Sequence, residues 1–387
     1  AVTGLRADSF SVRWTGILIP PVSGKYSIGL NVFGGSKLFL DDSLLVEINN
    51  SHVVQTNWKD VELHAGKLYK IKIEFCDRRA DASVRFVWSK PNPCLKDEAV
   101  EAAKQADVVV MCLGLSPRLE GEEMNVDVAG FSGGDRVDIG LPKIQEELLK
   151  DIAKTGKPIV LVLLNGSALA VNWAAENIPA IIESWYPGQA AGSALADVLF
   201  GDYNPAGRLP VTFYKSVDQL PPIGDYRMKE RTYKYFTGEP LYPFGFGLSY
   251  TKFNYDNLKL DTGSINAGES LWVSADVRNS GKRAGEEVVQ LYIKHLDASV
   301  PVPLRSLQGF QRIFLKPGES KTVKFLLDPR RLSVIDSDNK RKVVPGEIEI
   351  SVGGKQPGFS GQADAVTTEV ISGKFEIIGL PFLVNER

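Results

Sequence analysis

Residues 98–115 read EAVEAAKQADVVVMCLGL. The first half is a helical run. DVVVMCLGL (107–115) is an unbroken apolar strand, the pattern of a parallel strand covered on both faces. The alternation continues downstream. Pro142 opens a helix through LPKIQEELLKDIAKT (141–155), with Ile144, Leu148 and Ile152 at helical spacing, Leu149 widening the apolar face and Gly156 just past the end. PIVLVLLNG (158–166) is a second buried strand and AIIESWYPG (180–188) a third, followed by the helix QAAGSALADVLFG, closed by Gly201. This order predicts an open α/β sheet, whose ligands bind outside the carboxyl ends of the strands.

The flanks have a different texture. Up to about Lys90, the segments SFSVRWTGIL, GKYSIGLNV, SKLFLDD, LYKIKIEF and ASVRFVW alternate apolar with polar residues, separated by turn residues at Pro20–Gly24 and Phe33-Gly34-Gly35. They predict a β-sandwich or barrel, joined to the α/β part by the linker KPNPCLKDE. From about Phe253, SLWVSADVRNSG, EEVVQLYIKH, SLQGFQRIFLKPGES, KTVKFLLDPR and GEIEISVGG are spaced as the strands of a second sandwich. The expected fold class is multidomain, α/β plus all-β.

Composition narrows the function. In 387 residues the net charge is −2, which gives no electrostatic case for nucleic acid or an anionic membrane. No apolar run reaches the length of a membrane span. The opening AVTGLRADSFSVRW holds no basic region followed by an apolar one, so no signal peptide is read there; in a fragment of a longer precursor that says nothing of export. The three histidines (His52, His64, His295) are scattered, and the three cysteines (Cys76, Cys94, Cys112) lack metal-ligand spacing. Cys112 reads as a small buried hydrophobe. No GxGxxG or P-loop follows the first α/β strand.

The chemistry concentrates in the loop after that strand, LGLSPRLEGEEMNVDVAGFSGGDRVDIGLP (113–142), which carries Glu120, Glu122, Glu123, Asp127, Asp135 and Asp138. It starts where ligands belong in this architecture, and long loops without structure of their own are often functional. A carboxyl here acts as a general acid if burial or a neighbouring carboxylate raises its pKa. A solvated acidic loop is the alternative, and the spacing does not fit an EF-hand.

Two long signatures, WYPGQAAGSALADVLFGDYNPAGRLPVTF (185–213) and RTYKYFTGEPLYPFGFGLSYTKF (231–253), resemble the second domain of glycoside hydrolase family 3. LQGFQRIFLKPGESKTVKF (307–325) resembles that family's fibronectin type III-like domain, and FSVRWTGILIPPVSGKYSIGLNVFGGSKLFLDD (10–42) a protective-antigen-type β module. The resemblance implies three domains: a β-sandwich module (1–92), an α/β sandwich (93–251) and a fibronectin type III-like sandwich (252–387).

It also implies a secreted or periplasmic, exo-acting retaining β-glucosidase or β-xylosidase. Its aspartate nucleophile belongs to an N-terminal barrel, and its acid/base glutamate to the loop above. Matching the family's Gly-Glu pattern assigns Glu122; matching Glu-Gly assigns Glu120, with Glu123 as a third choice. Trp185 and Tyr186 are candidate sugar contacts, since aromatic faces pack on apolar sugar faces, with tight packing at a strand end as the alternative. Asp135-Arg136 becomes a pair that anchors the loop, with Arg136 also a substrate contact. YPFGFGLSY becomes a scaffold-locking turn, and Asp41-Asp42 an edge turn rather than a calcium pair. No cofactor or metal is expected. The expected partners are a β-glycoside or oligosaccharide substrate, the barrel and, as an option, a second copy. A non-catalytic carbohydrate-binding or scaffold fragment is the competing reading.

Overall fold

In a computed structural model, described for residues 9–77, 82–89, 91, 95–117, 119, 120, 126, 128–133, 135–298 and 300–384, the chain divides into two compact units, Ala1–Glu101 and Ala102–Arg387. Glu122, Glu123, Asp127 and Cys94 lie outside the described residues, as does the side chain of His52.

The first unit is a five-stranded antiparallel sheet of β1 (Ser11–Leu18), β2 (Gly24–Leu40), β3 (Ser43–Leu63), β4 (Tyr69–Cys76) and β5 (Ser83–Ser89). Phe33-Gly34-Gly35 does not end a strand as the sequence suggests. β2 runs through it with register shifts on both sides of Gly34, pairing β5 over residues 27–33 and β4 over residues 35–40. The bulge lets one strand change partners without breaking its ladder. The core holds Tyr26, Ile28, Leu30, Val32 and Leu38 against Ile48, Leu63, Tyr69 and Phe75. Asp41 and Asp42 form the tight β2–β3 turn, both at positive φ, with Asp41 Oδ1 accepting from Lys70 N at 2.8 Å.

Helix α1 (Leu95–Gln105) leads into β6 (Val109–Gly114). A small hairpin, β7 (Phe131–Ser132) and β8 (Asp135–Arg136), precedes α2 (Lys143–Ala153), β9 (Ile159–Leu164), α3 (Asn172–Asn177), β10 (Ala180–Glu183) and α4 (Ala191–Phe200). The parallel sheet runs β10-β9-β6. β9 is central and almost wholly buried, as its apolar run requires. β6 corrects the reading of DVVVMCLGL. It lies at the sheet edge with one face open: Met111 is buried, while Val110 is 48% exposed and Cys112 is exposed. The inward stripe of α2 is also shifted. Leu149 and Ile152 are buried, Ile144 is 77% exposed, and Gln145 completes the inward face by bonding Gly114 N and O at 2.7 and 2.9 Å.

After a short helix, α5 (Thr232–Tyr235), two sheets pack as a sandwich. One holds β11 (Phe253–Leu260), β13 (Leu271–Asn279) and β16 (Ser320–Leu327). The other orders β12 (Ser264–Asn266), β20 (Val370–Ile378), β19 (Gly346–Gly353), β14 (Gly285–His295) and β15 (Ser306–Leu315). Short strands β17 (Val334–Ile335), β18 (Arg341–Val343) and β21 (Phe382–Leu383) form a third sheet. Alternate residues of the two large sheets fill one core, including Leu271, Val273, Val289, Leu291, Leu327 and Ile350.

This sandwich is bonded to the α/β part through buried polar contacts. Arg208 pairs with Glu287 at 2.6 Å, Tyr255 and Thr368 donate to the same carboxylate, and Gln290 donates to Gly245 O at 3.1 Å. YPFGFGLSY therefore has the structural role read from its sequence.

Candidate active site

The site lies at the carboxyl ends of β6, β9 and β10, where each strand runs into its loop. Glu120 comes from the loop after β6. Its Oε2 accepts from Gly166 N at 2.8 Å and from the Tyr186 hydroxyl, and its Oε1 accepts from the Ser167 hydroxyl. Gly166 is required by this close approach: a Cβ there would lie 2.9 Å from the Tyr186 ring and 3.2 Å from Glu120 Oε2. Burial alone would raise the Glu120 pKa. The Ser167 and Tyr186 hydroxyls, Gly166 N–H and the Arg136 charge outweigh it and hold the carboxyl below its ordinary value.

Arg136, at the end of β8, joins the same cluster. Its guanidinium donates to Ser167 Oγ at 2.8 Å and to the carbonyls of Ala168, Gly140 and Asp138 at 3.0, 3.3 and 3.2 Å. The loop anchor expected from Asp135-Arg136 is thus Arg136 acting on backbone and Ser167. Asp135 is exposed in the hairpin, and the neighbouring carboxylate of Asp138 caps Gly140 N at 2.8 Å.

The structure adds two residues that the sequence reading left aside. Glu183 ends β10, and Asn165 follows β9. Glu183 Oε1 accepts from Trp185 N at 3.1 Å, and its Oε2 accepts from Asn165 Nδ2 at 3.3 Å. Asn165 also donates to Ser167 O at 2.9 Å and is fully buried, with Oδ1 unpartnered. Burial pushes Glu183 up to about 7, against the Trp185 and Asn165 bonds that lower it. Trp185 has φ of 53°, rare for a bulky side chain. Its ring is half-buried edge-on against Phe213 at 6.0 Å. Tyr186 next to it is 39% exposed. The signal that could have found both residues is position, since each stands at the carboxyl end of a parallel strand.

Glu120, Arg136 and Tyr186 therefore meet around Gly166–Ser167, with Trp185, Glu183 and Asn165 alongside. One carboxylate is stabilised as an anion and another is held near neutrality. Among the described residues no group of three or more His, Cys, Asp or Glu could hold a metal ion.

Residues 2–250 match the glycosyl hydrolase family 3 C-terminal domain, and residues 287–356 match a fibronectin type III-like domain. The chain is 45% identical over 283 residues to a β-xylosidase of Formosa agariphila, covering 70% of this chain and 36% of that protein. It is 40% identical over 269 residues to a periplasmic β-glucosidase of Salmonella typhimurium, covering 66% and 34%. The crystal structure of a Kluyveromyces marxianus β-glucosidase in complex with glucose superimposes with TM-score 0.75 and 26% identity, over 96% of this chain and 45% of that one. The chain thus spans between a third and a half of each of these relatives. By its fold and by a match over well more than half its length, the chain belongs to glycosyl hydrolase family 3, as the C-terminal part of that architecture.

Proposed function

We propose that this chain supplies the acid/base half of a retaining, exo-acting β-glycosidase that removes terminal β-linked glucose or xylose, with Glu122 as the acid/base. The observation that carries this reading is the cradle around Glu120. With three donors and held ionised, Glu120 is suited to anchor the loop and poorly suited to give up a proton. The proton-transfer role is then given to Glu122, the residue that the family's Gly-Glu pattern matches. Tyr186 presents its ring to the apolar face of the sugar, while Arg136 and Trp185 hold the loops in place.

The nucleophile comes from an aspartate outside these 387 residues, on a barrel domain, about 5–5.5 Å from the acid/base carboxyl. It attacks the anomeric carbon as the glycosidic C–O bond breaks and Glu122 protonates the leaving oxygen. Glu122 then takes a proton from the water that attacks the same carbon and releases the sugar. Action outside the cytoplasm belongs to the same proposal, supported by the periplasmic relative.

The test is an assay of the purified chain with aryl β-glucoside and β-xyloside. No turnover above background is expected, because one carboxyl of the pair is absent. Turnover at rates of about 1 s⁻¹ or more, usual for enzymes, would sink the proposal.

A further inference from the structure

Strand β10 ends on Glu183, and the chain then reverses sharply. Ser184 N still donates to Leu163 O at 2.9 Å, in continuation of the ladder to β9. Trp185 takes the left-handed conformation, with φ of 53°, which a bulky side chain keeps only where its surroundings impose it. Pro187 biases Tyr186 to extended backbone, so the turn does not run on as a helix. This reversal carries the Tyr186 ring over Gly166 and its hydroxyl onto Glu120 Oε2.

The group that holds the turn lies at its start. Glu183 Oε1 accepts from Trp185 N at 3.1 Å, the N–H of the strained residue itself, while the Trp185 ring packs edge-on against Phe213. The second oxygen reaches the neighbouring loop. Glu183 Oε2 accepts from Asn165 Nδ2 at 3.3 Å, and the same amide donates to Ser167 O at 2.9 Å. Glu183 thus joins the two loops that deliver donors to Glu120. One brings the Tyr186 hydroxyl, and the other brings Gly166 N–H and the Ser167 hydroxyl. The carboxyl is desolvated in this place, which raises its pKa. Perturbed carboxyls of this kind gather at functional sites.

We propose that Glu183 is a positioning residue of the candidate active site, fixing through Trp185 the turn that lays Tyr186 on Glu120 and through Asn165 the loop that brings Gly166 and Ser167 there. It acts through these residues rather than on the sugar. An acceptor at the Trp185 N–H is what the turn requires, so a glutamine oxygen serves in part, whereas an apolar side chain of similar size does not. The inference rests on the reading of Glu120 as the loop anchor and names the group that sets the anchor's own donors.

Titration of the Glu120 carboxyl in the 387-residue chain, followed by carbon-13 NMR and assigned with Glu120→Gln, tests it. Glu183 holds its proton up to about 7, above the range in which Glu120 titrates, so a change there reports lost donors and not a lost charge. Glu183→Leu should move the Glu120 titration up towards and past the ordinary glutamate value, and Glu183→Gln should move it less. In the wild-type chain the Trp185 amide should exchange its hydrogen on the order of a hundredfold more slowly than an unstructured amide, a readout that holds even if the leucine variant does not fold. In the enzyme assembled with its barrel, kcat/KM on an aryl β-glycoside should fall about tenfold to a hundredfold in Glu183→Leu, and less in Glu183→Gln. An unprotected Trp185 amide would overturn the proposal. So would a Glu120 titration unmoved in a folded Glu183→Leu variant, or moved as far by Glu183→Gln. Inactivity of the assembled wild-type enzyme would count against the catalytic reading alone, and the Glu120 titration would still decide this one.

Discussion

Glu120 and Glu183 feed into the same cluster and shift in opposite directions. Glu120 is exposed enough for hydroxyl and backbone donors to outweigh its desolvation, whereas Glu183 has two weak donors and deeper burial. Raised from 4.5 to about 7, Glu183 binds a proton more tightly in the folded chain than in the unfolded one. Its contribution to stability is therefore greatest below about pH 4.5 and declines as pH rises towards about 7. Glu183→Gln should remove that decline. By urea unfolding, the variant should match wild type at pH 4.5 and gain on the order of 2 kcal/mol at pH 7.5. A difference independent of pH would show that folding leaves the Glu183 carboxyl unshifted and would contradict this reading. Glu120 has the opposite linkage: its stabilisation is present above the unfolded pKa and fades as pH falls through its lowered folded value.

At the scale of elements, one link between the α/β part and the C-terminal sandwich is Arg208–Glu287, in which both side chains are almost inaccessible. Arg208→Ala leaves Glu287 buried without its counter-charge, and a loss of about 3–5 kcal/mol is expected in chemical denaturation. The double change Arg208→Met with Glu287→Gln should recover part of it, since it removes the buried charge and keeps an acceptor for the Tyr255 and Thr368 hydroxyls.

Most elements were legible because periodicity reports burial directly. The strand at 159–164 and the helix closed by Gly201 stand where their patterns put them. What was not legible depends on tertiary partners. An apolar run cannot tell whether its strand is central, as β9 is, or an edge, as β6 is with Cys112 exposed. Ile144 fits a helical stripe as well as Leu149 does, yet the inward face is set by Gln145 reaching Gly114. Phe33-Gly34-Gly35 carries turn chemistry but serves as a bulge within a long strand. That Glu120, Arg136 and Tyr186 come together follows from the loop and the strand ends on which the sequence puts them. Glu183 and Asn165 were not legible, because a carboxyl and an amide at strand ends have no local pattern of their own.

At the scale of the whole molecule, the family signature, the fibronectin type III-like domain and the partial span of every relative quoted place the chain at the C-terminal part of the family architecture. We propose a division of labour within one loop, in which Glu120 is the anchor and Glu122 moves the proton. In the enzyme assembled with its barrel, Glu122→Gln should slow glycosylation most for poor leaving groups, because activated aryl glycosides need little protonation. Its deglycosylation should slow as well, since no carboxylate remains to activate water. The most direct measurement is turnover of an activated aryl β-glycoside by Glu122→Gln and Glu120→Gln, with and without azide, which attacks the glycosyl-enzyme without base assistance. Azide is expected to restore turnover and to give a glycosyl azide only in Glu122→Gln. Rescue confined to Glu120→Gln, or full activity in both variants, would contradict it.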